Sequence, residues 1–143
     1  MNLDELKSSV KADMKIDPTL LDSESLNTPV LHGKYMTILL DRGIHLKRLL
    51  SRQKMLRKEL FEYYSGKAPD EVYKRKGDFN MRLLKTQIGD YIESDPEWVE
   101  LQTEIDTTEE VVKFVEGVMK MINNRGFAIK NAIDWRRFSA GMS

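Results

Sequence analysis

"DPEWVELQTEIDTTEEVVKFVEGVMKMINN", Asp95 to Asn124, is the stretch that decides the fold. It opens on an aspartate able to cap, a proline, and an acid in the first turn, the combination that starts a helix and suits its dipole. Behind that start, Trp98, Leu101, Ile105, Thr108, Val112, Val115, Met119 and Ile122 recur at steps of three and four. This is an a/d seam with one polar member, Thr108. As one helix, 96–124 is about 43 Å long at 1.5 Å per residue and needs a partner. Val111, Phe114, Val118 and Met121 widen the apolar stripe, so more than two helices are expected to pack together.

Working outward, the partner is either a neighbouring subunit or, in an antiparallel hairpin, 29–64. Leu31, Tyr35, Ile38, Leu39, Leu46, Leu49, Leu56, Leu60 and Tyr64 keep helical phase there, interrupted only by the weak helix former Gly43. Thr28-Pro29 looks like a cap followed by proline at the first helical position, and Asp17-Pro18 like the same device eleven residues earlier. Gly66 falls where a left-handed cap would close the helix. Leu3, Leu6, Val10 and Met14 predict a short helix over 3–14, and Met81, Leu84, Ile88 and Ile92 another around 79–93. Residues 65–80, rich in Gly, Pro, Asp and Lys, read as a mobile connection. The expected fold is all-α: helices over about 29–64 and 96–124 form a hairpin with a coiled-coil-like core, followed by a short helix after Gly126. The domain division is a core over 1–124 and a C-terminal segment over 125–143.

Composition excludes several functions. The 143 residues contain no cysteine, which removes thiolate chemistry and Cys-based metal sites, and only two histidines, His32 and His45. Phosphate-loop, dinucleotide-binding, His-Glu-x-x-His and EF-hand patterns are all missing. The acids Asp90, Glu93, Asp95, Glu97 and Glu100 surround a helix start, where dipole and solvation account for them. No enzyme, cofactor or metal site is expected. The polar N-terminus lacks a signal-peptide pattern, and no apolar run approaches the roughly 18 residues of a membrane span, so a cytoplasmic, non-membrane protein is expected.

The zero net charge is unevenly laid out: −3 over 1–41, +8 over 42–85 and −5 over 86–143. Residues 42–58 carry Arg42, Lys47, Arg48, Arg52, Lys54, Arg57 and Lys58 with no acid among them. A solvated face usually mixes both signs, so this block over 42–85 points to a polyanion. At 100° per residue from Leu60, Lys54, Lys47 and Lys58 fall near 120°, 140° and 160°, in one strip beside the apolar stripe. Their spacings of roughly 10 Å and 6 Å along the axis suit successive phosphates of an extended single strand. Arg48 and Arg52 lie on the opposite flank, and Arg57, near 60°, borders the stripe. Tyr64 falls in the stripe, whereas Tyr63 lies at its edge, where packing or base stacking is open. No recognition helix after a tight turn is present, which favours single strands over duplex.

The stretch "NRGFAIKNAIDWRRFSAG", Asn124 to Gly141, resembles the C-terminal signature of the UvsY-like recombination mediator family of T-even-like bacteriophages. The resemblance rests on Arg125 to Lys130, Asp134, Arg136, Phe138 and Ala140-Gly141. "IDPTLL" at 16–21 with Asn27, Val30, Lys34 and Tyr35, "EYYSG" at 62–66 and "LKT" at 84–86 extend it over most of the chain. It is weakest over 36–52 and 88–120. The family's DNA-contact motif, Leu-Lys-Ala-Arg-Leu-Asp-Tyr-Tyr, places its lysine on Lys58, its aspartate on Glu62 and its tyrosines on Tyr63 and Tyr64. Its arginine falls on Leu60 and its first leucine on Arg57.

The resemblance implies a non-enzymatic mediator that forms a ring-like homo-oligomer and binds single-stranded DNA. It further implies contact with a UvsX-like recombinase and with the phage single-strand-binding protein, which the recombinase replaces, in the host cytoplasm during infection. The nucleic-acid site is then expected at Lys47, Lys54, Arg57, Lys58, Tyr63 and Lys67. Subunit contacts are expected at Phe127, Ile129, Ile133, Trp135 and Phe138, since the family ties its C-terminal segment to oligomerisation. The acidic flanks are candidates for basic partner surfaces. Two other readings stay open: a helical structural or adaptor protein, and a duplex-binding nucleoid-type protein.

Overall fold

A computed structural model describes residues 1–142. Five helices follow in order: α1 (Leu3–Asp13), α2 (Leu21–Tyr64), α3 (Asp70–Lys76), α4 (Lys85–Glu93) and α5 (Pro96–Ser139). No strand is present among the described residues, and the all-α expectation holds. The chain divides into two compact units, Met1–Gly43 with Glu110–Ser143, and Ile44–Glu109, so each long helix contributes a stretch to both.

In the first unit α1 is the third layer that the wide stripe called for. A capping box starts it: Asn2 Oδ1 accepts from the Glu5 backbone N–H, and Glu5 Oε2 accepts from that of Asn2. Leu6 and Val10 then pack with Leu31 and Tyr35 of α2 and with Val111, Val115, Val118 and Ile122 of α5. The seam of α5 is shifted by this layer. Val111 and Val118 are buried, and Val112 and Met119, the residues expected there, are only half-buried. Ser9, Lys34 and Tyr35 converge on Asp13: Lys34 Nζ and Tyr35 Oη donate to Asp13 Oδ2 at 2.6 Å and 2.7 Å. Burial pushes the Asp13 carboxyl up, but the Lys34 and Tyr35 bonds outweigh it and leave it below its ordinary value. Tyr35 is pushed up to about 12, chiefly by burial.

Two boundaries depart from expectation. α2 begins at Leu21, and Pro29 sits inside it. Pro18 belongs instead to a turn, where Asp17 Oδ1 accepts from the Thr19 backbone and hydroxyl. Proline in a helix interior removes a donor and crowds the preceding carbonyls. Here the buried Arg125 guanidinium braces that turn, with Nη1 donating to the Glu24 carbonyl at 2.8 Å and to Thr28 Oγ1 at 2.7 Å. The second departure is at 124, where no break occurs: α5 runs on through Gly126 to Ser139 without a separate C-terminal helix. One interior glycine costs a helix only about 1 kcal/mol, which its neighbours absorb.

In the second unit α2 and α5 run antiparallel. His45 faces Glu104, Gln53 Nε2 donates to Gln102 Oε1 at 2.6 Å, and Leu60 shares a cluster with Trp98. Leu49, Leu101 and Ile105 form one core cluster, and Leu60 with Ile88 and Ile92 of α4 forms another. Gly66, at φ +76°, closes α2 as expected: its own N–H reaches the Tyr63 carbonyl and the Lys67 N–H reaches that of Glu62.

The 65–80 connection is more ordered than its composition suggested. It contains α3, with Asp70 and Glu71 in the first turn and Lys74, Arg75 and Lys76 in the last, the arrangement its dipole favours. The following helix is shorter than expected, starting at Lys85. Met81 and Leu84 are exposed, so only Ile88 and Ile92 of the expected face are core.

Candidate nucleic-acid interface

All the expected DNA-contact residues lie in the second unit, on α2 between Ile44 and Tyr64 or just beyond it. Leu49 and Leu60 turn that stretch inward. Lys47, Lys54 and Lys58 therefore project on the outer side, about 120° to 160° from the core direction, and all three are exposed. Among the described residues none of them makes an ion pair, and neither do Arg57 and Lys67. The Arg57 guanidinium lies over the Trp98 ring, 6.0 Å from its centre.

The opposite flank is electrostatically different. Arg52 lines a groove of about 570 Å³ with Met55, Leu56, Leu101 and the acids Glu59, Glu97, Glu100 and Glu104. Arg75 of α3 bonds Glu97 at 2.7 Å and Glu59 at 2.9 Å, and Lys76 bonds Asp95 at 2.9 Å and Glu97 at 3.2 Å. Within the basic block Arg75 and Lys76 are paired with acids, whereas the lysine strip makes no ion pair among the described residues. The strip therefore keeps its charge for a polyanion.

Tyr63 departs from the expected site. It is 6% exposed, its hydroxyl donates to the Gly77 carbonyl at 2.9 Å, and its ring meets those of Tyr64, Tyr73 and Phe79. The Lys76 ammonium covers the ring at 5.1 Å. No base can stack on it in this packing, because α3 and the chain after it fold over the end of α2. Tyr64 packs inward as expected. Its hydroxyl donates to Asp95 Oδ2 at 2.6 Å, while Asp95 Oδ1 accepts from the Glu97 backbone N–H and caps α5.

Burial pushes the Asp95 carboxyl up, but the bonds from Lys76, Tyr64 and Glu97 bring it below its ordinary value. Burial likewise opposes the charge on Lys76, and Asp95 and Glu97 raise it above normal. Burial and the same carboxylate push Tyr64 up, so it stays a neutral donor. Leu60, which takes the place of the family motif's arginine, is 0% exposed and is core rather than surface. Any charge near it must come from other positions.

The expected subunit-contact residues also divide. Ile129 is 2% exposed and belongs to the interior of the first unit, on the same face of α5 as Ile122 and Arg125. Ile133 is half-buried, whereas Phe127, Trp135 and Phe138 are exposed, the last two with ring centres 5.8 Å apart. Sequence reasoning missed two participants: Lys76, which with Asp95 fastens α3 down, and Arg125, which bonds the turn before Pro29. The capping aspartate was visible in the sequence, but nothing local marked its second partner.

Comparison with known proteins bears on the fold and the family. The sequence profile of the family described as "Recombination, repair and ssDNA binding protein UvsY" matches residues 9–142. The chain is 28% identical to recombination protein uvsY of Enterobacteria phage T4 over 142 residues, 99% of either chain. Two crystal forms of the bacteriophage T4 recombination mediator protein UvsY superpose closely. Lattice type II gives a TM-score of 0.85 at 28% identity over 98% of both chains. Lattice type I gives 0.84 at 26% identity over 94% of this chain and 98% of the other. With the profile spanning nearly every residue and the whole helical order reproduced, this chain belongs to the UvsY family of recombination, repair and single-stranded-DNA-binding proteins.

Proposed function

We propose that this protein is a recombination mediator that acts without catalysis: it binds single-stranded DNA and helps a UvsX-like recombinase replace the phage single-strand-binding protein. The observation that carries the reading is the lysine strip of α2. Lys47, Lys54 and Lys58 stand exposed and unpaired among the described residues, while Arg75 and Lys76 of the same unit are paired with carboxylates. Arg57 on Trp98 borders the strip, and Lys67 continues it beyond the helix. Membership of the family supports the strand-binding half of the reading.

Self-association supplies the rest. In the first unit Leu26, Val30 and Leu40 on α2, and Phe127, Trp135 and Phe138 on α5, are exposed apolar side chains that a partner surface would cover. A ring-like homo-oligomer presents one lysine strip per subunit, and effective concentration turns modest contacts into tight binding. Strand held along such a ring is bent, which weakens the single-strand-binding protein's grip and leaves a place for the recombinase to nucleate. No helix among the described residues is long and apolar enough to cross a membrane, in keeping with action in the host cytoplasm.

The test is a salt titration of binding to matched single- and double-stranded oligonucleotides, with sedimentation to size the oligomer. Single-strand affinity is expected to exceed duplex affinity and to fall with a log–log slope of about −0.7 per phosphate contacted. Equal affinity for duplex, or no strand binding at physiological salt, would remove the reading.

A further inference from the structure

We infer that Phe61 is a nucleobase-stacking subsite set into the lysine strip; the inference rests on the strand-binding reading above and names the part of the ligand that the strip's charges do not touch. With Tyr63 and Tyr64 folded inward, α2 still offers one aromatic ring on its outer face. Phe61 is 47% exposed, belongs to none of the core clusters of the second unit, and has no aromatic neighbour among the described residues. Its position on the helix brings the strip to it. Lys58 and Arg57 precede it by three and four residues, which makes them surface neighbours at about 5–6 Å between Cβ atoms, and Lys54 lies two turns earlier in the same row. Its C-terminal neighbour on that row is Ser65, a small residue whose hydroxyl is turned back onto the Phe61 carbonyl at 2.6 Å.

A single exposed apolar residue is ordinary on a protein surface. The surroundings make this one different. A protein partner that covered the Phe61 ring with apolar surface would also take Lys54, Arg57 and Lys58 out of water, and none of these forms an ion pair among the described residues that would offset the cost. An unpaired nucleotide supplies what both kinds of group need. Its phosphate meets the cations and its base meets the ring, the combination by which single strands are held without sequence readout. Duplex offers only the phosphates, because its bases are already stacked on one another. Phe61 therefore adds preference for single strands where the lysines add only affinity for polyanion.

The experiment compares an oligothymidylate with an abasic strand of equal length and charge, by fluorescence anisotropy at fixed salt, with sedimentation of every variant. The unaltered protein is expected to bind the base-bearing strand more tightly than the abasic one. Phe61→Ala should lose about 5- to 100-fold on the thymidylate strand and little on the abasic one. Phe61→Tyr and Phe61→Trp should restore the difference. Lys58→Ala should weaken both strands alike and make the salt slope shallower. Phe61→Ala losing affinity equally for both strands, or for neither, overturns the subsite, as does a variant that sediments as a smaller species, which would make Phe61 a subunit contact. Failure of the unaltered protein to bind either strand would sink the strand-binding reading itself, and the subsite with it.

Discussion

The Arg125 guanidinium on α5 donates to the Thr28 hydroxyl at 2.7 Å, one residue ahead of the proline that lies inside α2. The same nitrogen reaches the Glu24 carbonyl, and Nη2 lies 3.3 Å from the Glu24 carboxylate. The turn of α2 that precedes Pro29 is thus tied to the other long helix by one buried side chain.

Arg125→Ala should destabilise the first unit by about 3 kcal/mol, since it removes a buried side chain with its bonds to the Glu24 carbonyl and Thr28 hydroxyl and its ion pair with the Glu24 carboxylate. Arg125→Lys should recover little, because one ammonium cannot reproduce the fork. Urea unfolding of both variants measures this; a midpoint unchanged in Arg125→Ala would show that Pro29 needs no brace.

The Asp95 cluster predicts a pH profile. Asp95 lies below its ordinary 3.8 in the folded protein, so its contribution is whole above that pH and is lost as pH falls through the lower folded value. Asp13 acts with the same sign in the first unit. Lys76 lies above 10.5, so its contribution is whole below that pH and is lost as pH rises past it. Tyr35 adds a loss between its ordinary 10.0 and about 12. Urea midpoints should therefore hold between these limits and fall outside them. Asp95→Asn should lower the plateau by about 1–3 kcal/mol and leave the share of the acid slope that Asp13 and Asp17 contribute.

Tyr63 separates packing from DNA contact. Tyr63→Phe removes one hydrogen bond, to the Gly77 carbonyl, and should cost about 1 kcal/mol. Tyr63→Ala opens a cavity beneath α3 and should cost about 3–5 kcal/mol. Hydrogen exchange in 70–76 should speed up in the alanine variant. If the phenylalanine variant instead loses strand affinity at unchanged stability, Tyr63 meets DNA after all.

Charge reversal on the two flanks of α2 distinguishes them. Lys54→Glu with Lys58→Glu should abolish most single-strand binding and flatten its salt dependence by about 0.7 per lost phosphate contact. Arg48→Glu with Arg52→Glu should change it far less, because both lie on the flank opposite the strip, where Arg52 shares a groove with Glu59, Glu97, Glu100 and Glu104. Similar losses from both pairs would mean that the strand is not confined to the lysine strip.

Trp135→Glu with Phe138→Glu should shift sedimentation toward smaller species while leaving the helical content intact, since both side chains lie outside the core. An unchanged sedimentation profile would exclude this end of α5 from the subunit contact.

What the sequence determined by itself is whatever depends on one helix's own geometry. The helical class, the glycine stop at Gly66, the start at Asp95-Pro96, the inward row from Leu31 to Tyr64 and the outward row of lysines all follow from spacing and capping within a turn or two. The tertiary structure decided everything that depends on residues far apart in the chain. Thr28-Pro29 has the local form of a helix start, yet it lies inside α2, where a guanidinium 97 residues away bonds Thr28. Val111 and Val118 displaced Val112 and Met119 because α1 packs onto α5, which the spacing along α5 alone does not show. Tyr63 and Phe61 both sit off the stripe's centre, and the folding back of α3 and Phe79 covered one while leaving the other in solvent. The charges divided in the same way: a helix's own sequence places its cations on a face, but only the acids brought by other segments determine which of them are already paired.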